Sequence, residues 1–600
     1  MRIKYSLIDK LKNLTSTEMD LFLYIAKYQR LNGFVAGVHN QNVCKATGMC
    51  KQSFYTAMRG LERKEIVKIS RTSDIDYDFL ILGNDFTGDD AFKAGCEGYI
   101  DLSRSIFHKK QFKQLKAKEK WLLLYFLHCT HDNSSSYRIG TGNFYKNKED
   151  IEYALTAAYA NLQTSAMYQN NMVLMTDVRS DDLGSFTNTG GNAGREYSVK
   201  IFTAQSDNQI FRNVWKKTYE TIYRCNNVIF HIDVVKDTKL KLQYEAEARF
   251  LRALCYFNIV RFWGDAPLIL APLAATEVAG CERNKVADIY AAIEADLQFA
   301  SDANNLSKVF TGKNLGRATS LAAKALLGKV YLQEKKWQAA KQTLDELINT
   351  DNAGTHELLP DIANVFSTAP VQGSSAADFK NYTGWVPQTM NKEILFEVIF
   401  DKDIAGEGRN ALTYHSSQAD LNEVFKLSNT AKCIYTSDDR RADLMRSMKG
   451  TNTDNNLLVK YADIQSSLEQ YGYNTPILRW ADVLLMYAEA CNEVSFDNSA
   501  TSPALLALND VRTRSYVAGA YTGDELSDQD TFRDAIFLER RLEFPMEMQR
   551  WFDLLRSGNA INEIAKIGLI IDKDDLLYPI PNSEVTLRND PEKFPQNPGY

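Results

Sequence analysis

No stretch of this chain is apolar for long enough to cross a bilayer, and its start, MRIKYSLIDKLKNLTSTEMD, holds no run of signal-peptide length. Taken as written, the chain is expected in the cytoplasm. Paired cysteines are missing too. The nine cysteines, at 44, 50, 96, 129, 225, 255, 281, 433 and 491, are odd in number and never spaced CxxC, which argues against a disulfide framework and against a zinc site. Catalytic signatures are equally scarce: there is no GxSxG, HExxH or Walker A run. His128 and His131 could offer a metal two ligands at most. Asp74, Asp76 and Asp78 open like a calcium loop, but Phe79 stands where the glycine belongs and Asp85 where the closing glutamate belongs. Gly140-Thr141-Gly142 lacks the third glycine and the following helix of a dinucleotide site. Carboxylate pairs for glycoside hydrolysis cannot be read from sequence spacing. No cofactor, no metal and no enzyme are expected.

What is present is a chain of 600 residues, 44% hydrophobic and 24% charged, long enough for about two to four domains. The net charge of −6 hides an asymmetry, because residues 1–140 carry 22 Lys+Arg against 15 Asp+Glu and the remainder is correspondingly acidic. A basic N-terminal unit joined to an acidic body suggests two different jobs.

In the basic part, LTSTEMDLFLYIAKYQ opens a helix in which Thr15 can cap and Glu18 sits three residues on, with Leu21, Leu23, Tyr24 and Tyr28 supplying an apolar face. A short helix fits Gln41 to Thr47, broken at Gly48. A third runs from Lys51 to about Lys64, followed by EIVKIS, a turn at Ser73-Asp74 and the strand YDFLIL. That order resembles a winged helix-turn-helix domain over residues 1–84, of the kind found in bacterial DNA-binding and plasmid replication-type proteins. The resemblance implies that Lys51, Gln52, Ser53, Tyr55, Thr56 and Arg59 face bases or phosphates, with Arg71 in the wing on backbone. The competing reading is a dimerisation or purely structural unit whose charged helix face is merely solvated. The surplus of positive charge favours DNA. LKAKEKWLLLYFL (115–127) repeats LTSTEMDLFLYIA (14–26) at five of thirteen positions, so residues 85–140 are expected to hold a partial second unit and a linker, with HDNSSS as the loop before the junction.

From Asn147 amphipathic helices dominate: NKEDIEYALTAAYANLQTSAMY, FRNVWKKTYETIYRCNNVIFHI, KLQYEAEARFLRALCYFNIVRFWG, SLAAKALLGKVYLQEKK and WQAAKQTLDELINT. In the last two, Ala325, Gly328, Tyr331, Trp337, Ala340 and Leu344 resemble the tetratricopeptide pattern, where small residues let one helix approach the next. Short strands such as EILFEVIF (393–400) sit among long polar loops, 352–392 and 401–432, which carry Tyr382, Trp385, Arg409, Tyr414 and His415. Long loops in a compact domain are usually functional. An aromatic ring beside polar side chains is the usual way to hold a sugar, its face against the C–H face of a pyranose. Any single ring here could equally be packing its own loop.

WKKTYETIYRCNNVIFHI (215–232), EAEARFLRALCYFNIVRFWGDAPLI (245–269), GRATSLAAKALLGKVYLQEKKWQAA (316–340), ILRWADVLLMYAEACNE (477–493), ALNDVRTRS (507–515), FLERRLEFPMEMQRWFDLLRSG (537–558) and YPIPNSEVTLRNDPEKFPQNPGY (578–600) together resemble the SusD/RagB family of outer-membrane glycan-binding lipoproteins, over about 141–600. The resemblance implies a mainly α fold on four tetratricopeptide-like helix pairs, with long loops and few short strands. It also implies non-catalytic binding of nutrient oligosaccharide or polysaccharide, delivery to a partner TonB-dependent (SusC-like) transporter, and an outer-membrane location. Arg249, Arg252, Arg512, Arg514, Glu539, Arg540, Arg541 and Glu543 read as ion pairs locking helices, and Trp215, Tyr219, Trp263, Trp480 and Trp551 as core. Loop position nominates the glycan contacts: Asp181, Asp182 and Phe186, with Tyr382, Trp385, Arg409 and Tyr414.

The two parts conflict. Family members are exported and lipid-anchored, whereas here the family pattern follows a DNA-binding-like unit directly. A chimeric chain joined near residues 138–147 is the expectation; the alternative is a DNA-binding regulator whose helical body binds a partner or a sugar effector.

Overall fold

The computed structural model describes residues 2–4, 7, 10–30, 32–73, 76–82, 99–101, 116, 120, 144–183, 191–367, 389–401, 428–445, 447–449, 456–458, 460 and 473–600. It divides into two compact units, Met1–Lys146 and Asn147–Tyr600.

The small unit runs β1 (Arg2–Lys4), α1 (Ser16–Tyr28), β2 (Phe34–His39), α2 (Asn40–Thr47), α3 (Lys51–Arg63), β3 (Val67–Arg71), β4 (Asp76–Ile81) and β5 (Tyr99–Asp101). Thr15 caps α1 through a capping box: its hydroxyl accepts from the Glu18 amide at 3.3 Å, and the Glu18 carboxylate accepts from the Thr15 amide at 2.7 Å. Glu18 also takes the Lys64 ammonium at 2.5 Å. This close approach of α1 to α3 requires Gly60, where a β-carbon would stand 1.9 Å from Glu18 Oε1. Burial alone would raise the Glu18 pKa, but Lys64 and Thr15 more than offset it, and the carboxyl ends below its usual range. Gly48 ends α2 in the left-handed region (φ 79°), which a residue with a β-carbon resists.

The sheet holds an element that periodicity missed, β2, which pairs with β4 (Phe34 with Leu80), while β4 pairs with β3 (Val67 with Ile81). The order is β2-β4-β3, all antiparallel. Phe22, Ile25, Phe54, Leu61 and Phe79 form an apolar core beneath it. The proposed second copy at 115–127 and the linker fall almost wholly outside the described residues.

The large unit is a stack of helices: α4 (Lys148–Leu162), α5 (Gly191–Lys200), α6 (Gln209–Phe230), α7 (Thr238–Trp263), α8 (Val286–Ser301), α9 (Ser320–Gln333), α10 (Trp337–Glu346), α11 (Trp480–Val494), α12 (Pro503–Ser515), α13 (Gln529–Glu543), α14 (Arg550–Ser557), α15 (Ala560–Lys566) and α16 (Asn582–Arg588). Each of α6 to α11 packs on the next, so the stack continues from α10 to α11 across the long segment between them. The small residue predicted at the α9–α10 crossing is needed there, since a β-carbon at Gly328 would stand 2.6 Å from Leu344 Cδ2. Two strands, β6 (Ile394–Val398) and β9 (Thr475–Arg479), pair antiparallel within that long segment, and β7 (Ser447–Lys449) pairs with β8 (Asn456–Leu458). The C-terminal block clasps the end of α7: the Trp263 indole donates to the Pro579 carbonyl at 3.1 Å, and the Asn597 amide donates to the Trp263 and Tyr578 carbonyls at 3.0 and 2.7 Å.

The charges among these apolar helices are buried ion pairs, as their positions beside apolar faces predicted. Arg252 meets Asp296 at 2.8 Å, Arg540 meets Asp482 at 2.8 Å and Asp553 at 2.9 Å, and Arg512 meets Glu539 at 3.3 Å. Arg479 is shared among Glu547 (2.7 Å), Glu393 (2.5 Å) and Glu543 (3.1 Å). Trp215, Trp263, Trp480 and Trp551 are buried; Tyr219 is only half-buried.

Candidate functional site

Described residues that flank the segments nominated from sequence gather in two networks. Asp181 and Asp182 lie at the foot of the segment that carries Phe186, and both are buried in ion pairs: Arg550 and Arg541 each meet Asp181 at 2.8 Å, and Arg541 meets Asp182 at 2.8 Å. Their carboxylates face arginines and not solvent, which corrects their nomination as direct sugar contacts. The arginines hold the Asp181 carboxyl below its usual range, although burial opposes this. The same two residues tie down a second loop. The Ser428 amide donates to the Asp182 carbonyl at 2.7 Å and its hydroxyl to the Asp181 carbonyl at 2.6 Å. Residue 428 follows the stretch 402–427, which contains Arg409 and Tyr414. From the other side the Lys200 ammonium, at the end of α5, donates to the carbonyls of Ser180 and Leu183 at 2.6 and 2.7 Å; burial brings its pKa down to about 8.

A second knot gathers the remaining loop ends. The Asn474 side chain accepts from the Phe400 amide at 3.0 Å and donates to Thr389 Oγ1 at 3.1 Å and Glu397 Oε1 at 2.8 Å. The Met390 amide donates to the same Glu397 oxygen at 2.6 Å. Thus one amide and one carboxyl hold Thr389, Met390, Phe400 and Asn474, described residues that stand beside 368–388 (which contains Tyr382 and Trp385), 402–427 and 461–472. Burial of Glu397 pushes its pKa up to about 7 against these hydrogen bonds.

The segment Pro545–Gln549 joins the two knots. The Met548 amide donates to Asp177 Oδ2 at 3.0 Å, two residues before the turn into the first knot, while Glu547 pairs with Lys460 and Arg479 on the side of the second. Met546 and Met548 both take positive φ, 62° and 59°, a conformation side chains disfavour and one that persists where surroundings fix it. Ser428, Asn474, Glu397, Lys200 and this methionine turn were not found from sequence. None lies on a periodic apolar face or in a recognised spacing, so no sequence signal marked them. Phe186, Tyr382, Trp385, Arg409 and Tyr414 lie outside the described residues, as does His415.

In the small unit, Lys51, Gln52, Thr56 and Arg59 form an exposed row on α3. Ser53 and Tyr55 are half-buried, and the Tyr55 hydroxyl accepts from Asn40 at 2.9 Å. Arg71, at the end of β3, is exposed and donates to the Ser73 carbonyl at 3.2 Å. Among the described residues no cluster of side chains suits a metal ion, and no helix is long and apolar enough to cross a membrane.

Two family models match consecutive parts of the chain: one described as "Starch-binding associating with outer membrane" over residues 126–332, and one described as "SusD family" over 336–600. The large unit belongs to the SusD family. Its match begins upstream of Asn147, in residues the structure does not describe, and the description of that part names the outer membrane, so the cytoplasmic expectation finds no support. SusD-like protein P2 of Formosa agariphila is 27% identical over 493 residues, covering 76% of this chain and 94% of its own. A SusD-like protein of Bacteroides ovatus is 27% identical over 451 residues, 69% of this chain and 76% of its own. Among solved structures, surface glycan-binding protein A from Bacteroides fluxus superposes with a TM-score of 0.60 at 23% identity, over 76% of this chain and 100% of that one. A laminarin binding SusD-like protein does so with a TM-score of 0.60 at 24% identity, again over 76% and 100%. These two likenesses establish the SusD fold.

Proposed function

We propose that the large unit captures nutrient oligosaccharide or polysaccharide, without catalysis, through the segments that the two knots flank, and delivers it to a TonB-dependent, SusC-like transporter in the outer membrane. The observation that carries this reading is the convergence: residues flanking segments far apart in sequence meet in buried ion pairs and hydrogen bonds, a rigid support for a binding surface. Structural neighbours named for glycan or laminarin binding support the same reading. The nominated contacts are Phe186, Tyr382, Trp385, Arg409 and Tyr414. Affinity gels loaded with a panel of polysaccharides test it: the full chain is retarded by at least one, and Trp385→Ala reduces retardation without changing the melting temperature. Retardation by none overturns the reading.

For the small unit alone, the element order α1-β2-α2-α3-β3-β4 with sheet order β2-β4-β3 supports a winged helix, and the exposed row Lys51, Gln52, Thr56, Arg59 supports DNA contact through α3. A DNA shift assay run beside the gels checks this. Binding that weakens steeply with salt and falls on replacing Lys51 and Arg59 is expected; a salt-independent shift, or none, sinks it.

A further inference from the structure

Away from the loop base, α6 carries an aromatic residue on three successive turns of one face, Trp215, Tyr219 and Tyr223. They line a cavity of about 420 Å³, within the range of about 300–1,000 Å³ that small-molecule sites occupy. Burial is graded along the row: Trp215 is 2% exposed and Tyr223 44%. Ile269, Leu273 and Val278 line it as well, with Glu584 and Arg588 of α16.

The walls are fixed. The Tyr219 hydroxyl donates to the Pro267 carbonyl at 2.8 Å, and its ring lies 5.1 Å from that of Trp215. Arg588, on α16, donates to the Cys281 carbonyl at 3.1 Å, pairs with Glu584 at 3.0 Å and stacks over Phe594 at 4.2 Å. Glu584 is thus spent on Arg588. Lys216, also on the lining, is exposed and forms no ion pair among the described residues. The lining is mostly apolar and carries one uncompensated positive charge.

We propose that this cavity is a second ligand site, which takes a hexuronate residue of an acidic oligosaccharide: the C–H face of one pyranose lies on Tyr219 and Tyr223, and its carboxylate meets Lys216, one turn from Tyr219 on the same helix. The choice of a sugar ring rests on the glycan reading above; the choice of an acidic one rests on Lys216. A neutral hexose has the stacking face but leaves Lys216 unmatched.

Isothermal titration of the full chain with methyl glucuronoside, methyl glucoside and benzoate tests the assignment. Saturable uronate binding is expected, stronger than that of the neutral glycoside by roughly three- to fivefold, the size of one part-exposed ion pair. Lys216→Glu removes that preference, Lys216→Arg retains it, and Tyr223→Ala weakens both sugars. Equal binding of the two glycosides overturns the acidic assignment, and binding of benzoate alone, or of nothing, overturns the site. The loop surface is separable from this cavity. Trp385→Ala is expected to reduce polysaccharide retardation and leave uronate titration unchanged. If retardation survives Lys216→Glu while no uronate binds, this site fails and the loop reading stands; uronate binding with no retardation by any polysaccharide reports the reverse.

Discussion

The two units are held together by different means. The small one rests on an apolar core of Phe22, Ile25, Phe54, Leu61 and Phe79, and a charge cluster of Glu18 with Thr15 and Lys64 sits at a helix start. The large one drives arginines and carboxylates into its interior, where Arg479, Arg441 and Arg540 are almost wholly buried among acids. An apolar core tolerates many partners of similar size. A buried arginine accepts only the carboxylates placed to receive it, because an unmatched charge there costs several kcal/mol. For helices with similar apolar stripes, such pairings select which face meets which.

The largest effect should come from breaking a pairing. Arg540→Ala leaves Asp482 and Asp553 buried without their shared partner and should cost the large unit about 3–5 kcal/mol. Hydrogen exchange read unit by unit checks this, and equal loosening of residues 1–146 would erase the contrast. A smaller effect concerns the knot at Glu397. Its folded-state pKa, about 7, lies above the ordinary value of 4.5, so the folded protein binds this proton more tightly than the unfolded chain. The resulting stability is complete below the unfolded value and is lost as pH rises from 4.5 to about 7. Glu397→Gln should therefore flatten the stability profile of the large unit across that window relative to the parent, by about 3 kcal/mol. Identical slopes in parent and variant would show that the carboxyl titrates normally. The smallest effect belongs to the small unit: Thr15→Ala removes the α1 cap and should cost about 1 kcal/mol, without touching the large unit's transition.

Much of the scaffold was legible beforehand. The cap at Thr15, the break at Gly48 and the close crossing at Gly328 each follow from a local rule about hydrogen bonds or missing β-carbons. So does the expectation that charges on apolar helices are paired. The partners themselves were not legible, since Arg541 finds Asp181 and Asp182 across some 360 positions and Arg479 finds Glu393 across 86. Asp181 and Asp182 were misjudged for the same reason. A loop aspartate looks solvent-facing until the arginines that bury it are known.

By itself the sequence determined the helices, their apolar faces, the difference in charge between the units and the family of the larger one, because these depend on spacing and composition within short windows. Only the tertiary structure decided which carboxylate answers which arginine, that Ser428, Asn474 and Glu397 tie together residues flanking separate segments, and that Tyr219, expected as core, lines a cavity with Tyr223. Those outcomes depend on contacts between residues tens to hundreds of positions apart. No local pattern encodes them.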